Sequence, residues 1–280
     1  MKNDISESPK IAKRDKNAHK GSFGSSLLVC GSFGMAGAAI LSFRAALKSG
    51  VGKLIAAVEK NIYGICTVAV PEAIFIPLGI CFKKPLLKQI KGADSILFGC
   101  GVGTQKRSLK KLNLIVKNAN CPVVIDADGI NLLAQSIDIL KQAKTPIILT
   151  PHPLEMSRLC GKSVREINND RLKTATDFAK EYGVYLVLKG SGTVVAAPDG
   201  KTYVNPTGNA GMATGGSGDV LSGIMAALLA YNTDIFTAVK TAVYVHGAAG
   251  DSAAERLSET SLTPSDIIEE LPCVFKTLEG

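Results

Sequence analysis

The chain has 280 residues, 46% of them hydrophobic and 20% charged, a balance that describes a folded globular protein and excludes a disordered one. That length suffices for one large α/β domain or two small ones. The formal net charge is +8, but the lysines are spread along the chain without a basic helix of interleaved aromatics, so a surface attractive to small anions is expected and a nucleic-acid partner is not.

Residues 1–13 read as a loosely held tail that lacks the apolar run of a secretory signal. The basic, glycine-bearing stretch from Arg14 to Gly24 is either a continuation of that tail or a segment folded back over a site. A buried strand over residues 26–30 empties into Gly31 to Gly34, and Gly37, Ala38 and Ala39 open a helix that runs to about residue 49. A strand over 53–58, a helix over 61–68, a short edge strand over 73–77 and a basic helix over 85–90 follow. The apolar stretch 62–82 is broken by Pro71, Glu72 and Pro77, so no membrane span is expected.

The pattern then repeats. A strand over 95–98 runs into Gly99-Cys100-Gly101-Val102-Gly103-Thr104 and a helix over 108–118. Strands over 123–125 and 147–149 deliver Asp126-Ala127-Asp128 and Pro151-His152-Pro153-Leu154-Glu155. A polar-faced helix is expected over 164–182, and a strand over 185–188 delivers Lys189-Gly190-Ser191-Gly192-Thr193. A hairpin over 194–204 turns on Pro198-Asp199-Gly200. Each strand thus hands polar or glycine residues to its C-terminal end, where open α/β sheets place their ligands.

The densest of these signals is the glycine-rich run from Asn205 to Asp219, which leads into an apolar helix. Free amides of a first helical turn attract an anion, and Gly215, Gly216 and Gly218 leave room for one beside Ser217. Asp219 would repel a phosphate, so it is read as a base facing an acceptor hydroxyl, with a helix cap as the plain alternative. Lys189 to Thr193 offer a cation, a hydroxyl and flexible amides suited to a nucleotide, or form an ordinary turn. His152, held between two prolines, is a candidate substrate contact. Asp126 and Asp128 are candidates to hold magnesium through water, or are a turn with a cap. Helices over 235–257, containing His246, and 264–275 close the chain.

Seven cysteines without a Cys-x-x-Cys pair, and three histidines without a pair at helical spacing, predict reduced core thiols in a cytoplasmic protein and no zinc site. No composition shift marks a second domain, so residues 1–280 are expected to form one.

The run Asn-Ala-Gly-Met-Ala-Thr-Gly-Gly-Ser-Gly-Asp, preceded by Leu-Lys-Gly-Ser-Gly-Thr, Leu-Thr-Pro-His-Pro and Asp-Ala-Asp-Gly-Ile-Asn, resembles the ADP/ATP-dependent NAD(P)H-hydrate dehydratases of the ribokinase-like superfamily over about residues 14–275. The resemblance implies a three-layer α/β sandwich with a mostly parallel central sheet and helices on both faces. It implies a lyase that repairs the S epimer of hydrated NADH or NADPH. The added hydroxyl is phosphorylated and phosphate leaves, giving AMP from ADP or ADP from ATP, with Mg2+ required. Carried over by position, Asp219 is the base, Ala38, Gly103 and His152 contact the hydrated dinucleotide, and Gly218 with Lys189, Gly190, Ser191, Gly192 and Thr193 contacts the nucleotide. A homotetramer is also implied, for which the apolar helix near Ala238 to Ala249 could supply a contact without the spacing requiring it, and with no epimerase segment recognised the hydrate epimers would be interconverted by a separate epimerase or spontaneously. Leu154 and Cys100 depart from the family's usual Pro-His-Pro-Gly and Gly-Pro-Gly. The competing readings are a ribokinase-like kinase of a vitamin precursor or sugar alcohol, and a nucleotide sensor without turnover.

Overall fold

A computed structural model describes residues 9–232 and 234–279; the first eight residues of the expected tail lie outside the described residues. The strands are β1 (Ser25–Val29), β2 (Lys53–Glu59), β3 (Ile74–Leu78), β4 (Ser95–Phe98), β5 (Val123–Ile125), β6 (Ile147–Leu149), β7 (Tyr185–Leu188), β8 (Val194–Ala196) and β9 (Thr202–Val204). They form one sheet in the order β3-β2-β1-β4-β5-β6-β7-β8-β9, parallel through β7 and antiparallel at β8 and β9. β1, β4, β5 and β6 are buried along their whole length. Burial on both faces is why these strands read as unbroken apolar runs and not as alternating ones.

The helices are α1 (Ala36–Lys48), α2 (Tyr63–Ala69), α3 (Lys83–Ile90), α4 (Lys106–Asn118), α5 (Asp128–Ala134), α6 (Pro153–Cys160), α7 (Val164–Asn169), α8 (Arg171–Tyr182), α9 (Ser217–Tyr231), α10 (Ile235–Arg256) and α11 (Pro264–Leu278). Strand residues divide by parity between two cores. Leu28, Ala56, Leu97, Val124 and Ile148 pack with α1, α2, α9, α10 and α11. Leu27, Val29, Ile96, Phe98, Ile125 and Leu149 pack with α3 to α8. Each fully buried aliphatic or aromatic side chain contributes about 1.5–3 kcal/mol of transfer free energy. The result is the three-layer α/β sandwich that the sequence predicts.

Four expectations are corrected. Residues 128–134 and 153–160 are short helices, α5 and α6, where the sequence is read only as polar segments following a strand. The helix expected over 164–182 is broken at Asp170, whose φ of −148° and ψ of 77° leave the helical region and whose side chain accepts from the Lys173 amide to cap α8. Ala238, Val239, Ala242, Val243, Val245 and Ala249 of α10 are buried in the chain's own core, so that face is not free to join copies.

The stretch from Arg14 to Gly24 packs at the opposite end of the sheet from the ligand loops. Phe23 precedes β1, its carbonyl accepts from Gly52 ahead of β2, and Arg14 stacks on its ring at 3.8 Å. It does not cover the site.

Candidate active site

The strand order reverses direction between β1 and β4, a switch point beside which open α/β sheets bind ligands. The C-terminal ends of β5, β6 and β7 and the start of α9 surround a cavity of about 960 Å³. Its charged walls, among the described residues, are Asp126, Asp128, Glu155, Lys189 and Asp219, with His152 and His246 beside them.

At the cavity floor, β5 delivers Asp126, which is 1% exposed. Lys189, delivered by β7, donates to Asp126 Oδ1 at 2.7 Å, and Ser222 of α9 donates to Oδ2 at 2.6 Å. Burial opposes the Asp126 charge, but Lys189, Ser222 and Thr150 outweigh it and hold the carboxyl below its usual range. Burial likewise opposes the Lys189 charge, and Asp126 and Glu155 outweigh it and raise the ammonium above its usual value. A buried pair of this kind survives only because its remaining donors and acceptors are satisfied. Between the aspartates, Ala127 adopts φ 48°, the one positive φ of a non-glycine among the described residues. That strained residue aims the two carboxylates apart: Asp126 Oδ1 accepts the Ala127 amide at 2.8 Å, while Asp128 Oδ2 accepts the Gly103 amide at 2.8 Å.

β6 leads to His152, which is the N-cap of α6. Its Nδ1 accepts from Leu154 and Glu155, and Glu155 Oε2 accepts the His152 amide at 2.8 Å, completing a capping box. With Nδ1 accepting, the ring proton resides on Nε2, 3.5 Å from Glu155 Oε1. Burial, and then Lys189, lower the His152 pKa, so a neutral ring is expected at neutral pH. Glu155 is 5% exposed and 3.8 Å from Lys189 Nζ. Burial pushes its carboxyl up to about 7.

Above this floor stands the first turn of α9. Gly216 is its N-cap at φ 101°, and a Cβ there would lie 2.6 Å from Leu41 Cδ1, so only glycine makes the turn. The Ser217 amide turns back to Thr214 O, leaving the Gly218 and Asp219 amides as the turn's anion-facing donors. A Cβ on Gly218 would lie 3.4 Å from Lys189 Nζ, so helix terminus and cation meet at one point. Asp219 is the third residue of α9, not its cap. Burial first, and then Asp126, outweigh a Cys100 thiol hydrogen bond and Lys189 and push its carboxyl up to about 6. A carboxylate with that value is largely ionised at neutral pH yet more basic than an ordinary aspartate, which suits general-base work. His246, half-buried on α10, lies 3.3 Å from Ser217 Oγ through Nε2, and desolvation lowers its pKa to about 4.

Of the residues singled out in the sequence, Ala38, Asp126, Asp128, His152, Lys189, Gly190, Ser191, Gly192, Thr193, Gly216, Ser217, Gly218 and Asp219 line this one cavity. Gly103 and Gly215 are not among its walls. Gly103 is tied to it through Asp128, and a Cβ on Gly215 would meet nothing within 4 Å, so that glycine is not needed for close approach. Glu155 and Ser222 were missed. The His-x-x-Glu spacing of a capping box could have revealed Glu155. Ser222 is inside an apolar helix and carries no such signal.

No three His, Cys, Asp or Glu converge into a protein-only cation cage among the described residues. The donor set nevertheless fits magnesium bound with a phosphorylated ligand. The walls carry four hard carboxylates against one ammonium, and magnesium is ordinarily held by one or two carboxylates together with phosphate oxygens and water. Asp126, Asp128 and Glu155 are the groups that could hold it.

The profile of the NAD(P)H-hydrate dehydratase family matches residues 26–273. The chain belongs to that family. It is 36% identical over 270 residues to the ADP-dependent (S)-NAD(P)H-hydrate dehydratase of Bacillus subtilis, covering 96% of this chain and 95% of that one. It is 39% identical over 277 residues to the bifunctional NAD(P)H-hydrate repair enzyme of Moorella thermoacetica, covering 96% of this chain but 52% of the relative, so it spans about half that protein's length. The fold superposes on a crystal structure of the ADP/ATP-dependent NAD(P)H-hydrate dehydratase from Bacillus subtilis co-crystallised with ATP and Mg2+, at a TM-score of 0.86, 34% identity and 96% and 95% coverage. A ribokinase-like superfamily protein of Enterococcus faecalis superposes at 0.86 with 28% identity, covering 97% of this chain and 93% of that one.

Against that family the two departures separate physically. Leu154 is half-exposed on the first turn of α6, outside the cavity walls, and leaves them unchanged. Cys100 is fully buried, its free thiol hydrogen-bonded to the Cys30 thiol and to Asp219, and it touches the environment of the carboxyl on which the chemistry would turn.

Proposed function

We propose that this chain is a nucleotide-dependent NAD(P)H-hydrate dehydratase acting on the S epimer of hydrated NADH or NADPH. The observation that carries the reading is Asp219, a carboxyl held near 6 in the turn whose amides and neighbouring Lys189 form an anion site.

Asp219 takes the proton of the added ring hydroxyl as its oxygen attacks the terminal phosphoryl group of ADP or ATP. The Gly218 and Asp219 amides and the Lys189 ammonium receive the charge of the transferred group. Hydroxide is thereby exchanged for phosphate as leaving group. The carbon–oxygen bond breaks, the neighbouring ring carbon loses a proton and the double bond returns. Magnesium bound with the nucleotide supplies charge neutralisation at its phosphates, and Asp126, Asp128 and Glu155 are the residues that would hold it, directly or through water. His152 offers its Nε2–H to the hydrated dinucleotide while Nδ1 caps α6, and Ala38 and the Gly103 turn complete that side. Lys189 to Thr193 serve the nucleotide.

Co-crystallisation of the Bacillus enzyme with ATP and Mg2+ supports the co-substrates, and the (S)-specific dehydratase of the same organism supports the epimer. Seven free cysteines support a reducing, cytoplasmic setting, and no helix among the described residues is long and apolar enough to cross a membrane. Specificity for one epimer makes an NAD(P)H-hydrate epimerase its functional companion, a pairing supported by the bifunctional Moorella relative. A homotetramer, carried over from the family resemblance, is measurable by light scattering.

The test mixes the protein with hydrated NADH, Mg2+ and ADP or ATP and follows reduced-nicotinamide absorbance and free phosphate together. Nucleotide-dependent recovery with one phosphate per NADH is expected, and EDTA abolishes it. Phosphate retained on an organic product would identify a kinase instead. Nucleotide binding without turnover of any alcohol would identify a sensor.

A further inference from the structure

Arg171 opens α8, at the end of a helix where the macrodipole disfavours a cation. Its guanidinium is spent on the loop that follows β7. Nη2 donates to Leu188 O at 2.8 Å, Nη1 donates to Ser191 O, and the guanidinium packs against Gly190, where a Cβ would lie 3.0 Å from Nη2. Gly190 has φ 140°, so glycine supplies both the space and the backbone angle. Arg171 is not itself a wall of the cavity, whereas Gly190, Ser191 and Gly192 are.

A trans peptide points its N–H opposite to its C=O. Leu188 obeys this visibly: its carbonyl faces Arg171, and the Lys189 amide on the other side donates to Pro151 O at 2.9 Å. By the same geometry the Ser191 carbonyl held by Arg171 directs the Gly192 N–H away from the guanidinium. The Gly190 carbonyl is held by Thr193 Oγ1 at 2.9 Å, which turns the Ser191 N–H away from that hydroxyl.

We propose that Arg171 is a positioning residue for the adenine nucleotide: by gathering two loop carbonyls it presents the Ser191 and Gly192 amides as donors to the nucleotide's phosphate or ribose oxygens. This rests on the reading of Lys189 to Thr193 as the nucleotide loop. The arginine pre-orders the loop, so the ordering cost is met in folding and not in binding.

The experiment measures ADP affinity by calorimetry for the wild type, Arg171→Met and Arg171→Lys, with steady-state kinetics and melting temperature alongside. Arg171→Met weakens ADP about tenfold and raises the nucleotide KM to match, while the hydrate KM and the kcat at saturating nucleotide stay within about threefold. Arg171→Lys recovers part of the loss, because an ammonium serves one carbonyl at a time where the guanidinium fork serves both. If Arg171→Met fails to fold, Arg171→Lys decides. ADP affinity within about twofold of wild type in a folded variant overturns the proposal. A loss spread evenly over both KM values, kcat and melting temperature overturns it too, since that marks a merely structural arginine. Wild-type protein that binds ADP but restores no NADH refutes the dehydratase reading, and the affinities still decide the role of Arg171.

Discussion

Replacing Asp219 by Asn should cut turnover by orders of magnitude and at the same time stabilise the fold. The carboxyl has its ordinary value of 3.8 in the unfolded chain and about 6 in the folded one. Carrying its charge at pH 7.5 therefore costs the native state about 3 kcal/mol if fully shielded from water, and about 1–3 kcal/mol given the solvent access Asp219 retains. The sign follows from proton counting. The native state binds the proton more tightly, so the stability lost to this group grows as pH rises from 3.8 through 6, and it shrinks to about a third of its full size by pH 4.5. Asn keeps the shape without the charge. At about 2 °C per kcal/mol for a chain of this length, Asp219→Asn melts about 2–6 °C above the wild type at pH 7.5, with the gap closing toward pH 4.5. Turnover falls about 10²–10⁴-fold for loss of a positioned base. The assay pairs melting scans at the two pH values with NADH recovery at saturating ADP. A variant that melts lower at pH 7.5 would refute the burial argument, and one that keeps a tenth or more of the turnover would refute the base assignment.

The same carboxyl sets a pH profile: kcat/KM should fall on the acid side with an apparent pKa near 6, and a profile flat down to pH 5 would remove Asp219 as the base. Lys189→Met leaves the buried Asp126 charge unpaired and should cost about 3–5 kcal/mol, read as a drop in the denaturant midpoint, with Asp126→Asn restoring part of it in the double variant. His152→Ala removes the cap of α6 and should cost about 0.5–2 kcal/mol, whereas His152→Asn keeps a capping side chain and holds the melting temperature. If the histidine also touches the hydrated dinucleotide, both variants raise the hydrate KM and leave the nucleotide KM alone.

The positions and extents of the strands along the chain were readable because burial on both faces makes most of them apolar runs bounded by glycine or polar residues; their order in the sheet was not. The two helices that sequence reasoning missed, α5 and α6, begin inside the segments that carry the ligand-loop signals. α5 is opened by Asp128 and α6 by Pro153, and at seven and eight residues they show too little of a helical period to stand out. Asp170 hid a helix break for a related reason: a capping aspartate in the middle of a polar face looks like one more surface residue. The buried face of α10 was misassigned because an alanine-rich stripe fits a neighbouring copy or the chain's own helices equally well; α9 and α11 fill it here.

The site was legible as parts and not as a circuit. Each of Asp126, His152, Lys189 and Asp219 was found from its place after a strand or at a helix start. What their sequence positions do not carry is that Lys189 spends its charge on Asp126, 63 residues away, or that Ser222, 96 residues from Asp126, satisfies the other oxygen. Those pairings fix the electrostatics. With Lys189 bound to Asp126, the cavity keeps Glu155 and Asp219 short of compensating positive charge, which is why burial drives one to about 7 and the other to about 6. A site whose single ammonium is already paired with a carboxylate takes a polyphosphate more readily along with a further cation, so the proposed magnesium and the basicity of Asp219 have a common origin in the excess of carboxylates.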